Sequence, residues 1–324
     1  MTLFDLPLEE LRDYRPRVRR PEDFDAFWQE TLDTSRALAA APVWQRVETR
    51  LALVDTYDLT FSGFEGQPIK AWLHVPAGAR EPRPAVVEYI GYSGGRGLAW
   101  QSHTYAEAGY AHLVMDSRGQ GWRGGVGDTP DLTPAAGRTS VPGLMTRGIR
   151  APHAFYYRRL FTDAALILDA ARMLPWVDPA RVAVVGTSQG GGLAIAAAGL
   201  DRAVQAVCAD VPFLCHIERA LELTDADPYG EIVTYLAKYR DREEETLRTL
   251  SYVDAVHMAA RAVAPALFSV ALRDRVCPPS TVFAAYNAWG GEDRDIRVYP
   301  YNGHEGGGEY TVPARLAFLA ERLR

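Results

Sequence analysis

Three observations in the sequence predict an α/β fold, a mostly parallel sheet with helices on both faces. From "RPAVVEYIG" (83–91) onward, short apolar runs alternate with segments of helical periodicity, the alternation that builds parallel sheets. Those runs are apolar throughout and close on turn residues, as strands buried on both faces do. The stretch "RVAVVGTSQGGGLAIAAAGL" (181–200) passes from a β-branched run through glycines into an alanine-rich segment, which reads as strand, tight turn and helix.

Taken in order, residues 1–50 read as an N-terminal helical extension of a single 324-residue domain. "VDTYDLTFSGFEG" and "QPIKAWLHVPAG" alternate apolar and polar residues around a glycine-containing turn, the pattern of a hairpin. "RPAVVEYIG" and "YAHLVMDSRGQG" are buried strands, with "TYAEAG" the end of a helix between them. Residues 122–157 are rich in Gly and Pro and read as loop. "YRRLFTDAALILDAARMLPWV" is an amphipathic helix with a proline stop. "VQAVCADVPFL", "APALFSVALRD" and "DIRVYPYNGHEGG" are later strands, with the helix "PPSTVFAAYNAWGG" before the last. Residues from about 225 to 261, including "YRDREEETLRTL", are helical, charged and interrupt the alternation. Their expected place is a cap over the carboxyl edge of the sheet, where such sheets bind ligands.

The composition is that of an ordinary globular protein, with 48% hydrophobic residues and a net charge of −6. That charge argues against a nucleic-acid partner, which selects a basic surface. The N-terminal arginines Arg12, Arg15, Arg17, Arg19 and Arg20 are interleaved with acids and read as a solvated face. No apolar run reaches the length of a membrane span, and "MTLFDLPLEE" lacks the layout of a signal peptide. The three cysteines, Cys208, Cys215 and Cys277, show no metal-ligand spacing. A cytoplasmic protein with reduced thiols and no metal or other cofactor is the expectation.

The stretch at 181–200 has three readings. A dinucleotide-binding turn requires Gly-x-Gly-x-x-Gly, but Ser188 stands where the second glycine belongs. A serine capping a helix is the plainest reading. The third is the nucleophile elbow, Gly-x-Ser-x-Gly, written here by Gly186, Thr187, Ser188, Gln189 and Gly190. A sharp strand-to-helix turn crowds the residues two before and two after the serine, and glycine at both relieves that crowding. The turn lifts the hydroxyl above the sheet, and the helix start offers N–H groups to a developing oxyanion.

An elbow needs partners, because an alcohol becomes a nucleophile only when a base takes its proton and an acid orients the base. Hydrolases with this turn carry them in the chain order Ser, Asp or Glu, His. Among the seven histidines, His74, His103, His112 and His153 precede the serine. His216 follows "VPFLC" too closely to have an acid before it, and His257 lies in the helical insertion. His304, in "YNGHEGGGEY", follows a strand among glycines that let a loop carry it over the sheet. Asp274 stands at the carboxyl end of "ALFSVALR". The order Ser188, Asp274, His304 is therefore met, which favours the elbow. The oxyanion donors expected are the backbone N–H groups of Gln189 and, in the loop "GYSGGRG" after "AVVEYI", of Tyr92.

The set "RGQ" (118–120), "GTSQG" (186–190) and "HE" (304–305) resembles carbohydrate esterase family 7, the acetyl xylan esterase and cephalosporin C deacetylase group. "RPEDFDAFW", "GDTPD", "LMTRGI", "FYYRRLFTDA" and "RVCPPSTVFAAYN" extend the likeness over nearly the whole chain. The resemblance implies an α/β-hydrolase core and an intracellular serine esterase acting on small acetyl esters, acetylated xylo-oligosaccharides and cephalosporin-type compounds among them. It implies Ser188 as nucleophile, His304 as base, Asp274 as acid, and a homo-oligomer, in many members a hexamer. Arg118 and Gln120 are expected to brace the core near the site. The sequence departs from the family after "GGRG", where "LAWQSH" is abbreviated, and the pocket is expected to differ there. A prolyl-oligopeptidase-like peptidase, a dienelactone-type hydrolase and a catalytically silent binding protein are the rival readings.

Overall fold

A computed structural model of the chain describes residues 4–132 and 142–323; part of the stretch read as loop at 122–157 lies outside them. Among the described residues, nine strands form one sheet: β1 (Val43–Val47), β2 (Val54–Ser62), β3 (Pro68–Pro76), β4 (Arg83–Tyr89), β5 (Ala111–Met115), β6 (Val177–Thr187), β7 (Ala206–Asp210), β8 (Ala266–Ala271) and β9 (Arg294–Tyr299). Their spatial order is β1-β2-β3-β5-β4-β6-β7-β8-β9. The first pairings, β1 with β2, β2 with β3 and β3 with β5, are antiparallel. Every pairing from β5 to β9 is parallel. The sheet is thus mostly parallel, with the expected hairpin at one margin.

The helices are α1 (Leu8–Arg12), α2 (Phe24–Ala37), α3 (Thr104–Glu107), α4 (Tyr156–Arg172), α5 (Gln189–Leu200), α6 (Ile217–Leu223), α7 (Tyr229–Lys238), α8 (Glu243–Ser251), α9 (Ala255–Ala259), α10 (Pro279–Ala288) and α11 (Val312–Arg322). Residues 1–50 depart from the expected helical extension in one respect: helix ends at Ala37, and Val43–Val47 form the edge strand β1. "VWQRV" carries two valines and a tryptophan, residues that favour strands, so pairing with β2 overrides the helical reading. Trp44 packs edge-on against Trp176, at 5.8 Å between ring centroids.

Strand β6 explains why helices cover both faces. Val182 and Val184 point into the larger core with α4 and α5, while Ala183 and Val185 point into a second core completed by Tyr105 of α3 and by Leu319 of α11. Side chains two apart share a face, so the continuous run "VAVV" must be buried on both. The strand order reverses at β4, which lies between β5 and β6. Such a reversal opens a crevice at the carboxyl ends of the strands, and there the loops after β4 and β6 meet, with Tyr89 in register beside Gly186.

Histidines outside the crevice are built into the framework. His74 and His112 face each other across β3 and β5, both buried. His74 shares a 3.0 Å hydrogen bond with Thr56, and burial, with His112 and His103 nearby, lowers its pKa to about 2. In the unfolded chain its pKa is near 6.5, so the unfolded state binds the extra proton between those values. Stability from this group is complete above about pH 6.5 and is lost as the pH falls toward 2. Unfolding free energy is expected to drop by about 2 kcal/mol from this site between pH 7 and pH 5. Urea titrations at the two pH values check this, and an equal drop in His74→Gln would show that His74 is not responsible.

Candidate active site

The elbow is built from close approach. Ser188 connects β6 to α5 with φ 58° and ψ −120°, a conformation that side-chain-bearing residues hold only when their surroundings enforce it. A Cβ on Gly186 would lie 2.3 Å from the carbonyl of Gly190, and a Cβ on Gly190 would lie 2.0 Å from the carbonyl oxygen of Tyr89. The first glycine thus lets the turn close on itself, and the second lets it settle against β4. Ser188 N–H donates to the Asp210 carbonyl at the end of β7 (2.9 Å), and its own carbonyl accepts from Gly192 and Phe213. With its backbone pinned, the hydroxyl projects into the crevice.

There Ser188 Oγ lies 2.9 Å from Nε2 of His304, and Nδ1 of His304 lies 2.9 Å from Oδ2 of Asp274. The second oxygen of Asp274 accepts the N–H groups of Val276 and Cys277, at 2.8 and 2.9 Å. The turn "DRVC" thus holds its own carboxylate, which is fully buried. An imidazole that donates Nδ1–H to a carboxylate keeps the lone pair on Nε2, facing the serine. The line of groups can take a proton from Ser188 and hold the resulting imidazolium. Asp274 and His304, thirty residues apart, meet because β8 and β9 are adjacent.

The loop after β4 brings Tyr92 to the same crevice, a cavity of about 410 Å³ lined also by Trp122, Asp227, Glu231 and Val276. Gln189 is the first residue of α5, so its N–H has no acceptor within the helix. Its buried side chain donates to the Ile90 carbonyl (3.1 Å) and accepts from Gln120 (2.9 Å) and from the hydroxyl of Tyr157 (3.0 Å). Gln120 Oε1 in turn accepts Ser93 N–H at 2.7 Å. Two glutamine side chains therefore splice the Tyr92 loop to the elbow. Arg118 lies apart from the reacting groups and is paired through two nitrogens with Asp163, at 2.6 and 2.7 Å, in full burial.

The remaining histidines lie elsewhere: His257 bonds the Arg19 carbonyl, His216 precedes α6 beside Tyr14, and His153 packs on Phe27. Sequence reasoning missed Trp122, Asp227, Glu231 and Cys277. Cys277 lies against Ser188, and burial, then Asp274, raise its thiol pKa well above the ordinary value, which keeps it protonated and a poor rival to the serine. Among the described residues, Asp274, Cys277 and His304 are the three ligand-type side chains whose donor atoms lie within 4.8 Å of one another. Both ring nitrogens of His304 and both oxygens of Asp274 already hold hydrogen bonds, so a metal there would have to break them.

Strand order, the reversal at β4 and an elbow at the end of β6 make the molecule an α/β-hydrolase. A family model described as acetyl xylan esterase (AXE1) matches residues 1–322. The chain belongs to that family and, with it, to the carboxylic ester hydrolases. An acetyl xylan esterase from Paenibacillus sp. R4 superposes with a TM-score of 0.91 at 38% identity, over 98% of this chain and all of that one. Acetyl xylan esterase 1 from Thermoanaerobacterium sp. JW/SL YS485 gives 0.89 at 34%, over 99% and 100%. The acetyl esterase Axe7A of Xylanibacter ruminicola is 27% identical over 279 residues, 84% of this chain but 61% of that protein, so the chain spans about three fifths of that relative's length. No helix among the described residues is long and apolar enough to cross a membrane.

Proposed function

We propose that the protein removes acetyl groups from esters of small alcohols, acetylated xylo-oligosaccharides and cephalosporin-type acetyl esters included. Ser188, losing its proton to His304, attacks the acetyl carbonyl, and the N–H groups of Gln189 and Tyr92 receive the oxyanion. His304 protonates the departing alcohol, and water, activated by the same imidazole, releases acetate. Asp274 holds the ring in the productive tautomer. The observation that carries this reading is the pair of 2.9 Å contacts that link Ser188, His304 and Asp274 in line.

The reading includes a cytoplasmic location, supported by three buried cysteines that are all free, and a homo-oligomer, six copies by family resemblance. It includes neither nucleic acid nor membrane as partner.

The test is acetate release from acetylated xylose and 7-aminocephalosporanic acid, beside 4-nitrophenyl esters of increasing acyl length. One methylene in an apolar pocket is worth about 1–3 kcal/mol, so propionyl ester should turn over about tenfold slower than acetyl, and butyryl slower again. Equal or faster turnover of butyryl ester, or no acetate from either natural-type alcohol, would overturn the substrate assignment.

A further inference from the structure

The helical stretch that interrupts the strand alternation does more than wall the crevice. Its helix α7 begins at Tyr229, and Glu231 stands in the first turn, facing the cavity. One oxygen of the Glu231 carboxylate accepts the hydroxyl of Tyr92 at 2.6 Å and the N–H of Gly143 at 3.1 Å; the other accepts the N–H of Met145 at 3.0 Å. The Tyr92 hydroxyl oxygen also accepts the N–H of Leu144, at 3.2 Å. A single carboxylate thus joins three segments remote in sequence: the loop after β4, residues 143–145 and the start of α7. The contact to Tyr92 is short and charge-assisted, the strong kind.

We propose that Glu231 is a positioning residue for the oxyanion site: by holding the Tyr92 side chain it fixes where the Tyr92 backbone N–H points. The inference rests on the reading of Ser188 as nucleophile and Tyr92 as oxyanion donor. The loop is anchored on either side of Tyr92, at Ile90, whose carbonyl accepts from the Gln189 side chain, and at Ser93, whose carbonyl accepts from Gly121 and Arg123, while Tyr92 itself is held through its side chain. The Ser93 N–H is tied to Gln120 and the Gly94 N–H to the Gly91 carbonyl, which fixes the far side of Tyr92. On the near side, its side chain is held by Glu231 and by the edge of Trp122, at 5.5 Å between ring centroids. An oxyanion donor acts only when aimed at the place where charge develops, so a loop that pivots about Ser93 loses rate without losing its substrate. Burial and the carboxylate raise the Tyr92 hydroxyl pKa, so the group remains a donor wherever the enzyme is active. The arrangement ties the insertion to the oxyanion loop, and a movement of α7 would reach Tyr92 through one hydrogen bond.

The test is a cycle of Glu231→Gln, Tyr92→Phe and the double variant, read with 4-nitrophenyl acetate and with inhibition by methylboronic acid, a probe of the tetrahedral geometry. Glutamine keeps the shape of the side chain but opposes an amide N–H to one of the three donors. Each single variant is expected to lower kcat about 10–100-fold, less than outright removal of an oxyanion donor, with KM within about threefold. The boronate should weaken in step with kcat, and the double variant should be little slower than either single. Thermal unfolding of all four proteins separates misfolding from mispositioning, and Tyr92→Phe carries the test alone should Glu231→Gln not fold. Unchanged kcat with raised KM, or effects of the two substitutions that multiply, would overturn the proposal. Failure of the wild-type protein to react at Ser188 with a serine-directed phosphonate would instead overturn the reading on which it rests.

Discussion

Ser188→Ala is expected to lower kcat for acetyl ester hydrolysis by on the order of 10⁶, the scale seen when the nucleophile of a triad is removed. The expectation follows from the backbone: the φ of 58° is imposed by the fit of Gly186 and Gly190 around the turn, so alanine should occupy the same place without disturbing His304 or Asp274. The oxyanion donors survive, and a residue of rate above that in water survives with them. Initial rates on 4-nitrophenyl acetate, with phosphonate labelling followed by peptide mapping, check both parts. A variant within tenfold of wild type would mean that another group performs the attack.

The largest stability effect is expected at Asp163→Asn. Arg118 and Asp163 form a pair with both side chains wholly out of water, and the Asp163 carboxylate also accepts the N–H of Phe64 at 2.8 Å. Removing one partner leaves the guanidinium charge buried with Asp131, 3.6 Å away, and the neutral amide oxygen of Gln67, 2.6 Å away, to answer it. Breaking such a pair costs about 3–5 kcal/mol, which for a chain of this size lowers the thermal midpoint by about 4–7 °C. The double replacement Arg118→Met with Asp163→Leu should recover much of the loss, since the cost lies in the unpaired charge. Calorimetry on the three proteins would show it; a single variant that melts with wild type would mean that the pair contributes nothing net.

How far the site could be read from sequence depended on how local its determinants are. The elbow is a five-residue device whose glycines are dictated by contacts within itself and with β4, so Gly186, Ser188 and Gly190 declare it. Asp274 and His304 could be put forward as its partners from sequence because strand ends in parallel sheets point to one edge. Glu231 was not, because a glutamate in a charged helical stretch looks solvated until the fold shows Tyr92 and two backbone N–H groups converging on it. Cys277 was missed for a similar reason: its contact with Ser188 is created by the turn that also holds Asp274. The edge strand β1 was hidden because its pairing comes from β2, not from its own five residues. Arg118 and Gln120 were expected to brace the core; Arg118 does so with Asp163, while Gln120 lies nearer the chemistry, bridging the Tyr92 loop and the elbow.

The proposed reacting groups come from the end of β6, the turn after β8 and the loop after β9, with Tyr92 supplied by the loop after β4 and Glu231 by a helix between β7 and β8. No stretch of chain shorter than about two thirds of the molecule contains them all. During folding, loops of this size must close before their contacts offset the lost chain entropy. Catalytic competence should therefore be among the last properties the chain acquires on refolding, well after helices and sheet are in place. Turnover of an ester is in that sense a report on the integrity of the whole sheet.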